Sequence, residues 1–277
     1  MMNNMNELTG TLLSNVAARM RERLGELSLL DGKLFPAEKR KRSAALDKNA
    51  AYAWRIRTRM LRMAQNIETL GALLRNPEFE RESCDMIQLL SDFCEGAADL
   101  VEMAGIRLTF SCMESAHYCA IQPEYMLQCF GHLLSNAMKN PSENPSETKY
   151  IRMGLQIPRS GREVVVFAED NGRGIAPEKM PALFEEGWRN SPETLVSGGA
   201  GMGLSICKRV AEGHGGTLTA ESTPGKGSQF TMRIPDEKGL VKFRQPGFYE
   251  PNGDVNPIMI MLSDALPWEA FTIENLL

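Results

Sequence analysis

An α+β fold is predicted, with an N-terminal two-helix hairpin followed by an α/β sandwich. Three observations predict it. Apolar residues recur at helical spacing in two long stretches before residue 76. From residue 84 to 235, short strand and helix patterns mix without regular alternation. Charge also divides near the same place. Residues 1–75 hold 14 Lys/Arg against 7 Asp/Glu and the remainder 17 against 28, so net +7 and −11 underlie the overall −4. A basic first part and an acidic remainder point to separate units with different partners.

In the first helix Leu8, Leu12, Val16, Met20, Leu24, Leu27 and Leu30 step by four or three residues, close to the turn of about 3.6. Asp31-Gly32 and Pro36 predict its end. KRKR at 39–42 is a basic connector. Ile56, Met60, Met63, Ile67, Leu70 and Leu74 then step 4,3,4,3,4, a heptad seam that Asn76-Pro77 ends. A lone hairpin covers two such stripes poorly, so a homodimer forming a four-helix bundle is expected.

Beyond it, the pattern predicts a helix over about 85–103, strands at 107–112 and 118–121, and a helix from Pro123-Glu124 to about Lys139. NPSENPSE (140–147) is a low-complexity loop. Strands at 150–156 and 164–169 lead into a long loop with seven glycines from Gly172 to Gly203. A helix over 203–212 and strands at 217–222 and 229–234 complete one mixed sheet with helices on one face. In the tail, 236–277, PIMIMLSDALPWEAF is apolar but short and broken by Pro267, and is expected to pack on a neighbour.

Apolar residues at 43% and charged residues at 24% support a folded core. No apolar run approaches the ~20 residues of a membrane helix. MMNNMNELTG has neither the basic flank nor the apolar stretch of a signal peptide. A cytoplasmic location is expected, for a whole protein or the soluble part of a longer one. Six cysteines without a CxxC pair read as buried thiols in a reducing compartment. His117 and Cys119 would offer two metal ligands at most.

Four segments carry chemistry: HLLSNAMKN (132–140), AEDNGRGI (168–175), GGAGMGLSI (198–206) and TPGKGSQF (223–230). Asp170, at a strand end, can accept a hydrogen bond from an exocyclic amine, while the glycines beside it leave a ligand room. Gly199, Gly201 and Gly203 let backbone amides and a helix N-terminus approach phosphate. Asn136 offers a neutral oxygen suited to Mg²⁺, and Lys139, on the same helix face, a cation for phosphate. A Rossmann reading fails because a loop, not a strand, precedes the glycines. A Walker A reading fails for want of Gly-Lys-Ser/Thr at the required spacing.

Together and in this order the segments resemble the ATP-binding boxes of the GHKL superfamily, which includes gyrase, heat-shock chaperone ATPases, histidine kinases and mismatch-repair ATPases. The likeness is greatest to sensor histidine kinases. HLLSNAMKN resembles the N box, EDNGRGI and GAGMGLSI the two glycine boxes, and PALFEEGWR (181–189) the F box of the mobile lid. GHGGTLTAESTPGKGSQFTMRIP (213–235) resembles the stretch that ends kinase catalytic domains. IQPEYMLQCF resembles the family's helix start, with Gln122 in place of the usual Asp.

The resemblance spans roughly 12–235. It implies a dimerisation and phosphotransfer-like hairpin over 1–76, a histidine-kinase-like ATP-binding domain over 84–235, and a tail, 236–277, of no assigned role. It implies ATP and Mg²⁺ as cofactors. Asp170 would read the adenine amino group, Asn136 would hold Mg²⁺ and Lys139 would contact phosphate. Gly172, Gly174, Gly199, Gly201 and Gly203 would shape pocket and lid, with Ile175, Met202 and Leu204 beside them in the same boxes. Ser228 stands where the family often has Thr near adenine. His132 replaces the commoner Asn of the N box, and Asn140 the common aromatic at its end; both count among the pocket residues.

In the family's first helix the phosphoacceptor motif is Ser-His-Glu-Leu-Arg-Thr-Pro-Leu. Aligned on LLSNVAARMRERL (12–24), the acceptor His falls on Ala18, its acidic neighbour on Arg19, the Thr on Glu22 and the Pro on Arg23. The only histidines are His117, His132 and His214, so no shift of register restores one to the hairpin. Alanine has no nucleophile.

Three readings follow. The chain is a dimeric MgATP-binding signalling protein of two-component type, a pseudokinase silent on its own hairpin. Or it is a phosphotransferase acting in trans on a partner kinase's His or on Ser/Thr. Or it is a scaffold whose basic hairpin (KRKR, Arg55, Arg57, Arg59, Arg62) holds an acidic response-regulator receiver domain. No aromatic interleaving supports nucleic acid.

Overall fold

The computed structural model describes residues 2–34, 44–142, 144, 147–159, 161–185, 202–236, 243–244 and 256–272. Two long helices open the chain, α1 (Met2–Leu34) and α2 (Ala44–Arg75), packed along each other. Helix α1 continues through Asp31-Gly32, the first of the two predicted stop signals, and ends at Leu34, ahead of Pro36, the second. An interior glycine costs a helix only about 1 kcal/mol relative to alanine, so it does not end one by itself.

Arg75 donates to the Gly10 carbonyl at 2.6 Å, and Arg21 pairs with Glu68. Between the helices Ala17, Leu24, Ala64 and Leu73 are buried. Much of the predicted stripe is not: Leu8, Leu12, Val16, Ile56, Met60 and Met63 are exposed. The opposite face of α2, with Thr58, Arg62 and Thr69, is buried against the rest of the chain.

The remaining elements are β1 (Glu82–Asp85), α3 (Met86–Met103), β2 (Arg107–Ser111), β3 (Tyr118–Ile121), α4 (Pro123–Met138), β4 (Tyr150–Gln156), β5 (Glu163–Asp170), α5 (Gly203–Gly213), β6 (Thr217–Thr223), β7 (Gly227–Pro235), β8 (Phe243–Arg244) and α6 (Pro257–Leu262). The main sheet has the order β2-β4-β5-β7-β6, with β2 parallel to β4 and the other neighbours antiparallel. Alternate residues Val164, Val166 and Ala168 of β5 and Phe230, Met232 and Ile234 of β7 are buried with α3, α4 and α5 in one core, as the two-residue strand period requires.

Two differences from the sequence reading matter. First, there is a second sheet, β3-β1-β8, with Cys84 opposite Cys119. Strand β1 reads ESCD, without β-branched or aromatic residues, so it gave no strand signal. Second, the tail packs on its own chain. Ile258, Met259, Leu262, Leu266 and Phe271 are buried in the common core, and α6 lies against α2, α3 and α4. Gly131 makes room for it on α4, since a Cβ there would stand 2.9 Å from the Met261 Cβ. Among the described residues no helix is long and apolar enough to cross a membrane.

Candidate functional site

Helix α4 and the two residues after it supply four of the residues singled out by sequence. It starts on Pro123 with Gln122 Oε1 accepting from the Tyr125 amide at 3.1 Å, and its Cys129–Met138 run is buried throughout. His132 and Asn136 follow along it, Lys139 caps its C-terminus, and Asn140 lies just beyond.

The glycine turn after β5 closes on that end. Asp170 Oδ1 accepts from the Gly172 amide at 2.8 Å. A Cβ on Gly172 would lie 1.8 Å from the Asn140 carbonyl oxygen. The Arg173 amide donates to that oxygen at 3.1 Å, and the Arg173 guanidinium to Asn140 Oδ1 at 2.8 and 3.1 Å. Asn140 Nδ2 in turn donates to the Asn136 carbonyl at 2.8 Å. The residue standing in for an aromatic thus ties α4 to the first glycine turn.

A second cluster surrounds Asp170. Ser228 is its partner across β5 and β7. Gly227, at φ +107°, lets its backbone come so close that a Cβ would stand 1.9 Å from the Asp170 carbonyl oxygen. The Ile175 amide donates to Ser222 Oγ at 2.8 Å, and that hydroxyl lies 3.0 Å from Ser228 Oγ. Gly174 adopts φ +70°, close against Thr223. Ser222 was not singled out by sequence; it lies inside the 213–235 stretch, but one Ser among polar strand residues carries no signal. Burial pushes the Asp170 carboxyl up to about 6, against the opposing pull of the Gly172 and Ser228 amides.

The third cluster is at the start of α5. A Cβ on Gly203 would lie 2.8 Å from His132 Nδ1, so α5 begins against the imidazole. Leu204 is buried and Met202 partly exposed. Gly199 and Gly201 lie outside the described residues, as does 186–189 of the F-box-like segment. Ahead of it, Leu183 is buried and Phe184 meets Phe230 edge-on.

Arg62 joins this site from the hairpin. Its guanidinium donates to Ser135 Oγ and His132 Nδ1, both at 3.1 Å, and lies 3.2 Å from Asp264 Oδ2 of the tail. Guanidinium only donates, so His132 Nδ1 accepts and its proton sits on Nε2. Burial holds the His132 pKa well below the usual range, with Arg62 and Lys139 adding to the effect. Lys139 Nζ reaches the same Asp264 oxygen at 3.1 Å, and Arg59 donates to the Ser263 and Asp264 carbonyls.

Hairpin, α4 and tail therefore meet at one carboxylate. Asp264 carries no signal in the sequence, and Arg59 and Arg62, expected in a basic hairpin that holds a receiver domain, are engaged instead by the tail and α4. Ala18, Arg19, Glu22 and Arg23 are all exposed on α1. Among the described residues no three or more His, Cys, Asp or Glu are grouped to hold a metal.

Residues 122–238 match the family described as histidine kinase-, DNA gyrase B-, and HSP90-like ATPase. Residues 122–238 thus form a GHKL-type ATPase domain of the kind that sensor histidine kinases carry. The chain is 29% identical over 161 residues to the alginate biosynthesis sensor protein KinB of Pseudomonas aeruginosa, covering 57% of itself and 25% of that protein. It is 25% identical over 247 residues to the sensor protein SrrB of Staphylococcus aureus, covering 84% of itself and 39% of that protein. It thus spans well under half the length of these relatives. The fold is shared with full-length ShkA, crystallised with AMPPNP, at TM-score 0.62 and 19% identity over 84% of this chain and 47% of that one. It is also shared with the Acinetobacter baumannii histidine kinase AdeS, at TM-score 0.52 and 17% identity over 79% of this chain and 96% of that one.

Proposed function

We propose that this protein binds MgATP and acts as a dimeric, cytoplasmic component of two-component signalling that does not phosphorylate its own hairpin. The observation that carries the reading is the convergence of Asp170, Gly172, Asn140 and the end of α4 through direct hydrogen bonds and close contacts. The buried carboxylate Asp170 suits the adenine amine, Lys139 the phosphates, and Asn136 a Mg²⁺ shared with them. Glycines 172, 174 and 227 approach neighbouring backbone so closely that no side chain fits. Nucleotide would then bias the geometry of lid and hairpin as a population-shifting ligand.

Silence of the hairpin rests on Ala18, which offers no acceptor atom. Dimerisation rests on the exposed apolar residues of α1 and α2. A cytoplasmic setting fits six cysteines that are all free. The test is incubation with Mg²⁺ and γ-labelled ATP, following bound nucleotide and protein-borne label together, with Asp170→Asn as control. Retained ATP without label, lost in the variant, is the expected result. Absence of nucleotide binding would sink the proposal, and label passed to a partner protein would make the chain a kinase in trans.

A further inference from the structure

Asp264 is the point at which the tail touches the nucleotide-site residues. Its carboxylate lies 3.1 Å from Lys139 Nζ and 3.2 Å from the Arg62 guanidinium. Both cations converge on Oδ2, with Arg62 buried and Lys139 four-fifths so. One anionic oxygen between a lysine and an arginine is the coordination that a nucleotide's phosphate oxygen also satisfies.

The carboxylate is held there by its surroundings. Arg59 donates to the Ser263 and Asp264 carbonyls at the C-terminal end of α6, where a cation meets the negative end of the helix. Met261 and Leu262, just before it, are buried against α4 and the core.

We propose that Asp264 and the nucleotide's phosphates compete for Lys139, so that tail docking and nucleotide binding oppose each other. The inference rests on the reading of Lys139 as a phosphate contact. A lysine paired to a carboxylate in a half-dry site cannot give the same donors to phosphate without releasing it. The released carboxylate would remain beside the incoming anion, so like-charge repulsion favours its withdrawal together with the Ser263–Asp264 turn. Arg59 and Arg62 lose a partner at the same moment, which loosens α2 from the tail. By linkage the effect is reciprocal: the factor by which tail docking weakens nucleotide binding is the factor by which bound nucleotide weakens tail docking.

The experiment is calorimetric titration of the full chain with MgATP, comparing wild type with Asp264→Asn, which keeps shape and removes charge. About tenfold tighter binding by Asp264→Asn is expected, abolished when Asp170→Asn is added. Equal or weaker binding by Asp264→Asn, with wild type still binding MgATP, overturns the competition and leaves the nucleotide reading standing. No binding by either protein overturns the nucleotide reading, and the competition falls with it. Amide hydrogen exchange on wild type makes the test independent of how the variant folds. Exchange across 257–266 should rise when MgATP is saturating, and unchanged protection there overturns the proposal.

Discussion

The guanidinium of Arg62 in the hairpin donates to His132 Nδ1 in α4 across 3.1 Å, and both side chains are buried. The geometry fixes the imidazole's tautomer, and burial beside Arg62 and Lys139 disfavours its charged form.

His132 should therefore stay neutral, protonated on Nε2, throughout the pH range in which an ordinary histidine titrates. Nitrogen-15 chemical shifts of the imidazole check this directly, and a transition near pH 6.5 would contradict it. The linked stability effect has a definite sign. A depressed folded pKa means that the unfolded chain takes up the proton first, so this group's contribution is present above about pH 6.5 and lost as pH falls below it.

Asp170 has the opposite sign. Its folded pKa, near 6, lies above the unfolded carboxyl value, so the folded state holds the proton more tightly. Stability from this group is full below about pH 4, declines as pH rises through about 6, and stays lower at neutrality. Asp170→Asn should then raise the unfolding free energy at pH 7 by about 1–3 kcal/mol while removing nucleotide affinity. Urea unfolding at pH 4.5 and 7 separates the two effects, because the gain should shrink at the lower pH. With adenosine, which carries no phosphate to titrate in this range, wild-type affinity should fall as Asp170 protonates.

The site was legible where its chemistry is local. Asn136 and Lys139 sit on one helix, and Asp170, Gly172 and Gly174 in one turn, so spacing alone groups them. Gly227 and Ser228 open β7 directly after a Pro-Gly turn (224–226) that is likewise visible. Arg62 and Asp264 were not legible, because their role comes from partners 73 and 125 residues away along the chain. Nothing about an arginine on a basic helix announces that it faces inward. The tail misled for a related reason: its apolar run is too short to be a helix by pattern alone, and its place depends on Gly131 leaving room for Met261. The hairpin stripe was read correctly as apolar, yet within one chain its first half remains exposed.

That exposure makes self-association testable. Leu12 is 63% exposed and Ile56 58%, so neither contributes much to the folding of a single chain. Leu12→Glu combined with Ile56→Glu should convert a dimer to a monomer in sedimentation equilibrium, with far-ultraviolet dichroism unchanged. Surface changes of this kind normally alter single-chain stability by less than about 0.5 kcal/mol each. A wild-type protein that is monomeric at tens of micromolar would refute the four-helix bundle.

The crossing of the two helices depends on a pair that the sequence did not advertise. A Cβ on Gly10 would stand 2.5 Å from the Gly71 carbonyl oxygen, and one on Gly71 would stand 2.8 Å from that of Gly10. In an isolated helix Gly71→Ala would be favourable by about 1 kcal/mol, through backbone entropy. Here the new methyl also meets Ser14 Oγ at 3.1 Å and the Leu13 Cβ at 3.2 Å, so α1 as a whole must move away from α2. Forced separation of packed groups costs about 1–3 kcal/mol, which outweighs the propensity gain. Gly71→Ala should thus lower the unfolding midpoint and weaken the bond from Arg75 to the Gly10 carbonyl. The melting temperature with and without Arg75→Gln measures that coupling. Near-additive losses would mean that the crossing is not held by this contact, whereas a clearly smaller loss from Arg75→Gln in the Gly71→Ala background is the expected outcome.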